Sequence, residues 1–399
     1  MLNRRDFIVF GVTMLGCGSC KGNDPSSVDF PNSDANDSSM LQASLDKGGK
    51  IVLEHGRVYR LLAPAGAKAA LLVGSDTLLD LNGATLELMP NQHCTLLAQR
   101  GGGRVQNVRI INGSIVGNGS RLLGVYRNDG IKPTLYFTDC DRLELRNLEM
   151  RDTYMYAVYA QGDGGVIDNL TVENAIGGGI HLKGSQWQID KVRVRNVTFF
   201  ERVNCQGNPF IVSLVDSVIG SIHCENYGFG IKFQDGCNNV RVGSIEAIGG
   251  PNNNDYLVKI QGYKAEEGRL DRFNRNIRFG SIKSRNGPKS GLYIFSSDGV
   301  DIGSYLGEHN GQSQFTLLTD TKNVADVLII DSDHIHFGEL QAKGFPSQGL
   351  WLHEKAGRVV ADKAIFDGVE SSNTSPVTVR SGVAVLGNTE YQSGNSRAK

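Results

Sequence analysis

The feature that most constrains this chain is a short apolar strand pattern that returns along most of its length. Ten such runs are marked by their first inward-facing apolar residue: Leu135, Val158, Ile180, Val212, Ile231, Val258, Leu292, Phe315, Leu350 and Val377. The markers give a mean step of about 27 residues, a period typical of solenoids and propeller-like arrays. Each repeat is therefore a structural unit that buries its apolar side chains against its neighbours.

A second pattern keeps step with the first. It places a glycine between apolar residues in the segments 219–222, 242–245, 279–282, 302–305 and 337–340. Each repeat thus holds at least two strands, and apart from residues 40–45 no segment has the spacing of an amphipathic helix. The combination predicts an all-β fold, a single-stranded right-handed parallel β-helix with a short N-terminal capping helix. A β-propeller is the rival fold, but its blades need longer antiparallel strands.

Composition supports a folded chain and excludes several classes of protein. Glycine accounts for 50 of 399 residues, and hydrophobic residues make up 40%. Disorder requires few apolar residues and high net charge, whereas 41 basic residues balance 42 acidic ones here. This balance offers no electrostatic attraction for nucleic acid, so no nucleic-acid partner is expected.

The N-terminus resembles an export signal. Arg4 and Arg5 precede a short apolar run, as in a twin-arginine signal, and the run is too short for a permanent membrane span. Cys17 follows a degenerate lipoprotein box, which leaves a lipid anchor open. We therefore expect an export signal in 1–20, a flexible linker in 21–38, a β-helix domain in 39–386 and a polar tail in 387–399. The expected location is periplasmic or extracellular.

The seven cysteines do not indicate a zinc site. Only Cys17 and Cys20 have Cys-x-x-Cys spacing, and both lie in the signal. The other five are expected to be buried core residues, and the sequence leaves open whether two of them form a disulfide.

Two segments carry a resemblance to a known superfamily. Residues 39–60 combine a short amphipathic helix, a Gly-Gly turn and a strand, and this resembles the N-terminal segment of pectate-lyase-like β-helix proteins. Residues 113–119, Gly-Ser-Ile-Val-Gly-Asn-Gly, are similar to a turn common in β-helix enzymes that degrade polysaccharides. The resemblance covers roughly residues 39–385 and implies an exported protein that processes a polysaccharide.

The outward positions of consecutive strands predict a binding groove, because side chains alternate faces along a strand. One column reads Tyr136, Tyr159, His181, Ser213, Lys232, Lys259 and Tyr293. The next reads Thr138, Gln161, Lys183, Val215, Gln234, Gln261 and Phe295. Neither contains an acid. Aromatic rings and amides suit sugars, and clustered lysines suit carboxylates, so the expected partner is an acidic polysaccharide.

These residues favour a lyase that cleaves a uronate-containing polysaccharide by β-elimination. Such an enzyme needs a base and a cation beside the uronate carboxylate. The proposed catalytic set is Lys232, Lys259, His181 and Tyr159. The proposed substrate-binding set is Tyr136, Gln161, Lys183, Gln234, Gln261 and Tyr293. A solvated face without function is the simpler alternative.

Other chemistries stay open. Asp163 and Asp235 are the alternative acids for a glycoside hydrolase, although both also suit turns. The familiar hydrolase and pectate lyase signatures are missing. An epimerase and a non-catalytic protein of exopolysaccharide secretion are further alternatives. No cofactor is required and no metal site is predicted; calcium is possible but unsupported, and His334 and His336 are interpreted as surface residues. The oligomeric state is not determined by the sequence.

Overall fold

The computed structural model describes residues 36–101, 103–119, 132–198, 207–263, 272–311, 325–345, 348–367 and 376–392. The proposed signal with Cys17, linker residues 21–35, Cys205, the run 314–317 and the last seven residues lie outside these ranges. The helix is α1 (Ser38–Lys47). The strands are β1 (Gly49–Val52), β2 (Val58–Leu61), β3 (Ala69–Val73), β4 (Thr77–Asp80), β5 (Thr85–Leu88), β6 (Thr95–Gln99), β7 (Val105–Gln106), β8 (Arg109–Val116), β9 (Leu135–Phe137), β10 (Cys140–Asp141), β11 (Glu144–Arg151), β12 (Val158–Gln161), β13 (Val166–Ile176), β14 (Gly178–Ser185), β15 (Gln188–Thr198), β16 (Asn208–Tyr227), β17 (Ile231–Gln234), β18 (Asn238–Ile248), β19 (Val258–Gln261), β20 (Asn274–Arg285), β21 (Leu292–Phe295), β22 (Ser297–Glu308), β23 (Ala325–Ile330), β24 (Asp333–Lys343), β25 (Gln348–Leu352), β26 (Arg358–Asp367), β27 (Val377–Val379) and β28 (Val383–Gln392).

The strands stack as the sequence predicts. Each pairs in parallel with the equivalent strand of the next coil, for example β12 with β14 and β18 with β20. Among the described residues, 26 strands join one continuous parallel network, and β7 and β10 form a separate parallel pair. The fold is a right-handed parallel β-helix with one short N-terminal helix, and the propeller alternative is wrong.

Alternating apolar residues build the core. Leu135, Val158 and Ile180 point inward at the same register position of successive coils, as do Ile231 and Val258 further along, and each is fully buried. Helix α1 belongs to the same core through Leu41 and Leu45. Among the described residues the first element starts at Ser38, and the last strand extends to Gln392, six residues into the segment predicted as a tail.

The glycine that recurs in the second sequence pattern lies where the backbones of neighbouring coils pack closely at a corner. A side chain at Gly280 would place its Cβ 2.5 Å from the carbonyl oxygen of Gly243, and one at Gly303 would lie 2.6 Å from that of Gly280. Real Cβ atoms do not approach backbone this closely, so only glycine lets these coils stack. Asparagines serve other corners: Asn147 and Asn169 have positive φ, and their amides donate to Asn112 (3.2 Å) and Asn147 (3.4 Å), respectively.

The predicted register is wrong in two places. Ile211, rather than Ser213, pairs with both His181 and Lys232, and Ser213 replaces Val215 beside Lys183. The error is a shift of two residues, which keeps every side chain on its predicted face. The strand stacked on β21 is β23, a segment that the repeat analysis did not mark.

Two other features of the described residues bear on the predictions. No helix in the ranges given above is long and apolar enough to cross a membrane. Cys94, Cys140, Cys224 and Cys237 are buried free thiols, as expected for core residues.

Candidate functional site

One face of the β-helix carries the residues that the sequence singled out. This groove face consists of β3, β6, β9, β12, β14, the first part of β16, β17, β19, β21, β23, β25 and β27. Its first column reads Leu72, Ala98, Tyr136, Tyr159, His181, Ile211, Lys232, Lys259, Tyr293, Leu328, Trp351 and Thr378. Its second column includes Gln161, Lys183, Ser213, Gln234, Gln261 and Phe295.

Four aromatic rings meet in the first half of the column. Tyr159 lies 5.6 Å from Tyr136 and 4.9 Å from His181, measured between ring centroids. Tyr156, from the connection before β12, lies 5.5 Å from the His181 ring. Tilted and edge-on rings at these separations attract one another. We call Tyr136, Tyr156, Tyr159 and His181 the aromatic cluster.

His181 is the most unusual member of the aromatic cluster. Its side chain is only 9% exposed, and neither ring nitrogen has a hydrogen-bond partner among the described residues. Burial, together with the positive charges of Lys183 and Lys232, lowers the pKa of His181 to about 4. The imidazole is therefore neutral at pH 7, with one donor and one acceptor nitrogen, both of them buried.

Three lysines and a buried carboxylate meet in the second half of the column. Lys232 and Lys259 are register partners on β17 and β19. Asp255, 3% exposed, forms an ion pair with Lys259 and lies 3.6 Å from Nζ of Lys289. The ring of Tyr256 lies beneath both ammonium groups, at 5.0 Å from Lys259 and 5.3 Å from Lys289. We call Lys232, Lys259, Asp255 and Lys289 the lysine cluster.

The two adjacent lysines are in different electrostatic states. Burial and the charge of Lys259 lower the pKa of Lys232 to about 8, although Asp255 and Asp235 act in the opposite direction. A measurable fraction of Lys232 is thus a free amine near neutral pH. Lys259 forms an ion pair with Asp255.

Phenolic groups extend from the lysine cluster. Tyr293 follows Lys259 in register and stacks on Tyr256 with ring centroids 4.5 Å apart. Burial raises the pKa of Tyr293 well above its ordinary value, and burial also raises the pKa of Tyr159. Both tyrosines are proton donors rather than bases at neutral pH.

The structure corrects the picture of an open, acid-free strip. Ile211, Leu328 and Trp351 point outward yet are at most 4% exposed, because apolar side chains pack over them in two clusters outside the core. An acid is present as well: Asp255 lies in the connection before β19, where its side chain reaches the column. Sequence reasoning missed it because residues 250–255 read as a polar loop.

The proposed catalytic residues separate into two groups. Three strand steps separate Tyr159 from Lys232, which is roughly 14 Å along the stack. His181 is two steps from Lys232. One reacting centre can therefore contain Lys232 and Lys259, and His181 and Tyr159 face a neighbouring part of any ligand.

The remaining predicted binding residues border the two clusters. Lys183 is half-buried beside His181, and Gln161 is exposed next to it. Gln234 donates to Asp235 (3.2 Å), and Gln261 donates to the hydroxyl of Tyr263 (2.9 Å). These amides line the edge of the groove face.

The alternative acids occupy turns at different heights. Asp163 accepts hydrogen bonds from the backbone and hydroxyl of Ser185, both at 2.8 Å. Asp235 has positive φ and lies 3.8 Å from Arg272. Three strand steps separate them, roughly 14 Å, which exceeds the spacing of a hydrolase carboxyl pair.

The histidines on β24 form hydrogen-bonded pairs at the surface. His334 lies 2.8 Å from Asp298, and His336 lies 2.8 Å from Asp301 and 3.2 Å from Asp362. These contacts raise the pKa of both histidines. Among the described residues, no group of three or more His, Cys, Asp or Glu side chains is arranged to hold a metal ion.

The fold is shared with solved structures over most of the chain. The surface adhesin PfbA of Streptococcus pneumoniae is 13% identical with a TM-score of 0.53, covering 90% of this chain and 87% of that one. The A-module of the Azotobacter vinelandii mannuronan C-5 epimerase AlgE4 is 12% identical with a TM-score of 0.51, covering 90% and 94%. The tailspike of E. coli bacteriophage HK620, solved with a pentasaccharide, is 12% identical with a TM-score of 0.50, covering 90% and 65%.

These similarities show the fold, a right-handed parallel β-helix. Neither a comparison with protein-family models nor one with curated proteins gives a match. The chemistry must therefore be argued from the aromatic and lysine clusters.

Proposed function

We propose that this protein is an exported lyase that cleaves a uronate-containing polysaccharide by β-elimination on the groove face. The observation that carries the proposal is Lys232, a partly buried lysine with a pKa of about 8, beside the ion-paired cation Lys259. A base that is partly free near neutral pH and an adjacent fixed cation are the two requirements of the reaction.

Lys232 is the proposed base. Its free amine takes the proton from the carbon beside the uronate carboxylate, and the electron pair forms the new carbon–carbon double bond. The bond to the glycosidic oxygen breaks, and that oxygen leaves with a proton from a phenol. The product is an unsaturated sugar at one new end and a hydroxyl at the other.

Lys259 and Tyr293 complete the reacting centre. Lys259 neutralises the negative charge that develops on the carboxylate, and its ion pair with Asp255 holds it in place. Tyr293, the next residue of the column, is a phenol at neutral pH and donates to the leaving oxygen. Lys232, Lys259 and Tyr293 lie on the successive stacked strands β17, β19 and β21 and reach the same sugar.

The aromatic cluster is the proposed binding site for the neighbouring sugar. The rings of Tyr136 and Tyr159 offer apolar faces to sugar C–H groups, and the buried His181 ring supports that of Tyr159, with ring centroids 4.9 Å apart. Lys183, beside His181, is placed to meet a second carboxylate. The proposed substrate is accordingly anionic at more than one position.

An epimerase is the second candidate, because it begins with the same proton transfer. It differs in returning a proton to the opposite face of the carbon instead of expelling the oxygen. The mannuronan C-5 epimerase module among the structural matches supports including it. A non-catalytic binding protein is a third possibility, in keeping with the adhesin of the same fold.

One experiment separates these functions. Purified protein is incubated with a panel of acidic polysaccharides, and ultraviolet absorbance, new reducing ends and proton exchange into the sugar from deuterated water are measured. A lyase gives absorbance and reducing ends without exchange, because the carbon that loses its proton becomes part of the double bond. An epimerase gives only exchange, a hydrolase gives only reducing ends, and a binding protein gives none of the three signals. Reducing ends without absorbance would contradict the proposal.

A further inference from the structure

A surface cavity continues the groove face on the N-terminal side of the aromatic cluster. Its volume is about 630 Å³, within the range of small-molecule sites. Ala69, Leu72 and Ala98 line it with apolar surface, and Lys68, Lys132 and Tyr136 also border it. Sequence analysis did not mark this region, because the predicted column begins at Tyr136.

A small residue in the column creates the cavity. Leu72, Ala98 and Tyr136 occupy the same register position on β3, β6 and β9. A tyrosine ring extends far beyond an alanine methyl group, so the surface drops sharply between Tyr136 and Ala98. Leu72 remains 38% exposed at the far side, although it is a large apolar residue. The result is an apolar depression bounded by an aromatic ring.

Two cations border this apolar depression. Lys68 is exposed, and Nζ of Lys132 is held by the carbonyl oxygen of His93 at 2.8 Å. The cavity therefore combines apolar surface with hydrogen-bond donors, whereas the lysine cluster offers charge without an apolar depression.

We propose that this cavity binds an O-acetyl group of the acidic polysaccharide. The acetyl methyl packs on Leu72 and Ala98, and its carbonyl oxygen accepts from a lysine at the rim. Tyr136 belongs both to this cavity and to the aromatic cluster, so a polymer bound at one reaches the other. The inference rests on the proposed function for the identity of the polymer. A methyl-esterified uronate would fit the apolar surface equally well, but it would remove the negative charge that the two lysines favour.

Binding measurements test this inference without requiring turnover. Dissociation constants are measured by calorimetry in the Lys232→Ala background, so that the substrate is not consumed. The probes are oligosaccharides of alginate, gellan and xanthan, each in acetylated form and after alkaline deacetylation. With the cavity residues unchanged, the Lys232→Ala protein should bind at least one acetylated polymer roughly fivefold more tightly than its deacetylated counterpart, as expected for burying one methyl group.

Substitutions in the cavity test whether the preference for acetylated polymer arises there. Ala98→Phe fills the depression and should bind both forms with the same, weaker affinity. Leu72→Gln keeps the volume and removes the apolar surface, so it should also lose the preference even if Ala98→Phe does not fold. Lys68→Ala should weaken binding of both forms and keep part of the preference.

Two results would overturn the inference. One is equal affinity, or no binding, for both forms of all three polymers with the cavity intact. The other is an acetyl preference that survives in both Ala98→Phe and Leu72→Gln. Binding is measured in a variant that lacks the proposed base, so the result does not depend on catalysis. A failure of the proposed elimination reaction would be seen only in the polysaccharide panel.

Discussion

Two faces of the β-helix are built by the same parallel stacking of strands but carry different kinds of side chains. One is the groove face. The other, which we call the ladder face, is formed by the second halves of β11, β13, β15, β16, β18, β20 and β22, and on it charged side chains of opposite sign alternate from one coil to the next. Arg195 lies 3.7 Å from Glu173 and 3.8 Å from Glu225, and His223 lies 2.8 Å from Glu246. These side chains are partly exposed. The groove face instead buries a neutral histidine, a lysine of lowered pKa and a carboxylate.

The difference indicates which face has a role beyond stability. Exposed ion pairs contribute at most about 1 kcal/mol each, and alternating them prevents repulsion between like charges in neighbouring strands. Burying Lys232, Lys259 and His181 is unfavourable by comparison, since charged and polar groups lose water there. Groups with strongly shifted pKa values that share a surface are characteristic of functional sites. Four substitutions test this contrast.

The largest expected effect is the loss of activity in Lys232→Ala. Removal of a general base reduces the rate by about 100-fold or more, so product absorbance should fall to the background level. Lys283→Ala is the matched control, since Lys283 lies on the ladder face 3.8 Å from Glu308. The control should retain full activity. Similar rates for both variants would contradict the assignment.

Asp255→Ala should destabilise the protein by about 3 kcal/mol. The substitution leaves Lys259 buried without its carboxylate, which is the costly way to break a buried ion pair. Glu225→Ala on the ladder face should cost less than about 1 kcal/mol. Chemical denaturation of both variants measures the difference, and equal losses would mean that the two faces do not differ in this respect.

His181→Phe tests the buried imidazole through the pH dependence of stability. The unfolded histidine takes up a proton near its ordinary pKa of 6.5, whereas the folded one does so only near 4. The unfolded state therefore binds more protons as pH falls from 6.5 to 4, and the folded state loses stability over that window. The wild-type loss attributable to His181 is on the order of 3 kcal/mol.

The comparison of the two proteins isolates this contribution. His181→Phe should lose less stability than wild type between pH 6.5 and 4, as measured by denaturation at each pH. Parallel curves for the two proteins would show that the folded His181 titrates normally and is accessible to water.

The smallest effect is expected on the ladder face. Arg195→Ala removes two long, partly exposed ion pairs, so the free energy of unfolding should change by less than about 1 kcal/mol. The change should shrink further in high salt. A loss comparable to that of Asp255→Ala would show that the ladder contributes more than its exposure indicates.

The sequence predicts the fold well because repetition amplifies a weak local signal. A single run such as residues 231–234 does not define a strand, but a series of runs in step defines a solenoid, even though the strand stacked on β21 is β23 and not the marked run 314–317. Period-two alternation also assigns residues to the inner or outer side correctly, as with Val212 and Ile231. It does not distinguish shifts of two residues, which is why Ser213 was aligned with His181 in place of Ile211.

Parts of the site were beyond prediction for a different physical reason. Asp255 precedes its strand and reaches the column only through the path of its connection, which residue spacing does not encode. The cavity at Ala98 depends on the absence of a side chain beside Tyr136. The hydrogen-bonded asparagines at the corners, by contrast, could have been predicted from the sequence, because Asn147 and Asn169 recur at the coil spacing next to apolar residues.

The pKa of Lys232 is the measurement that tests the central claim most directly. Competitive acylation across pH, quantified by mass spectrometry of the Lys232 peptide, reports when its amine becomes free, and the Lys283 peptide provides the internal control. The groove-face environment predicts half-deprotonation near pH 8 for Lys232. Half-deprotonation of Lys232 near the ordinary lysine pKa of about 10.4 would contradict a base on the groove face.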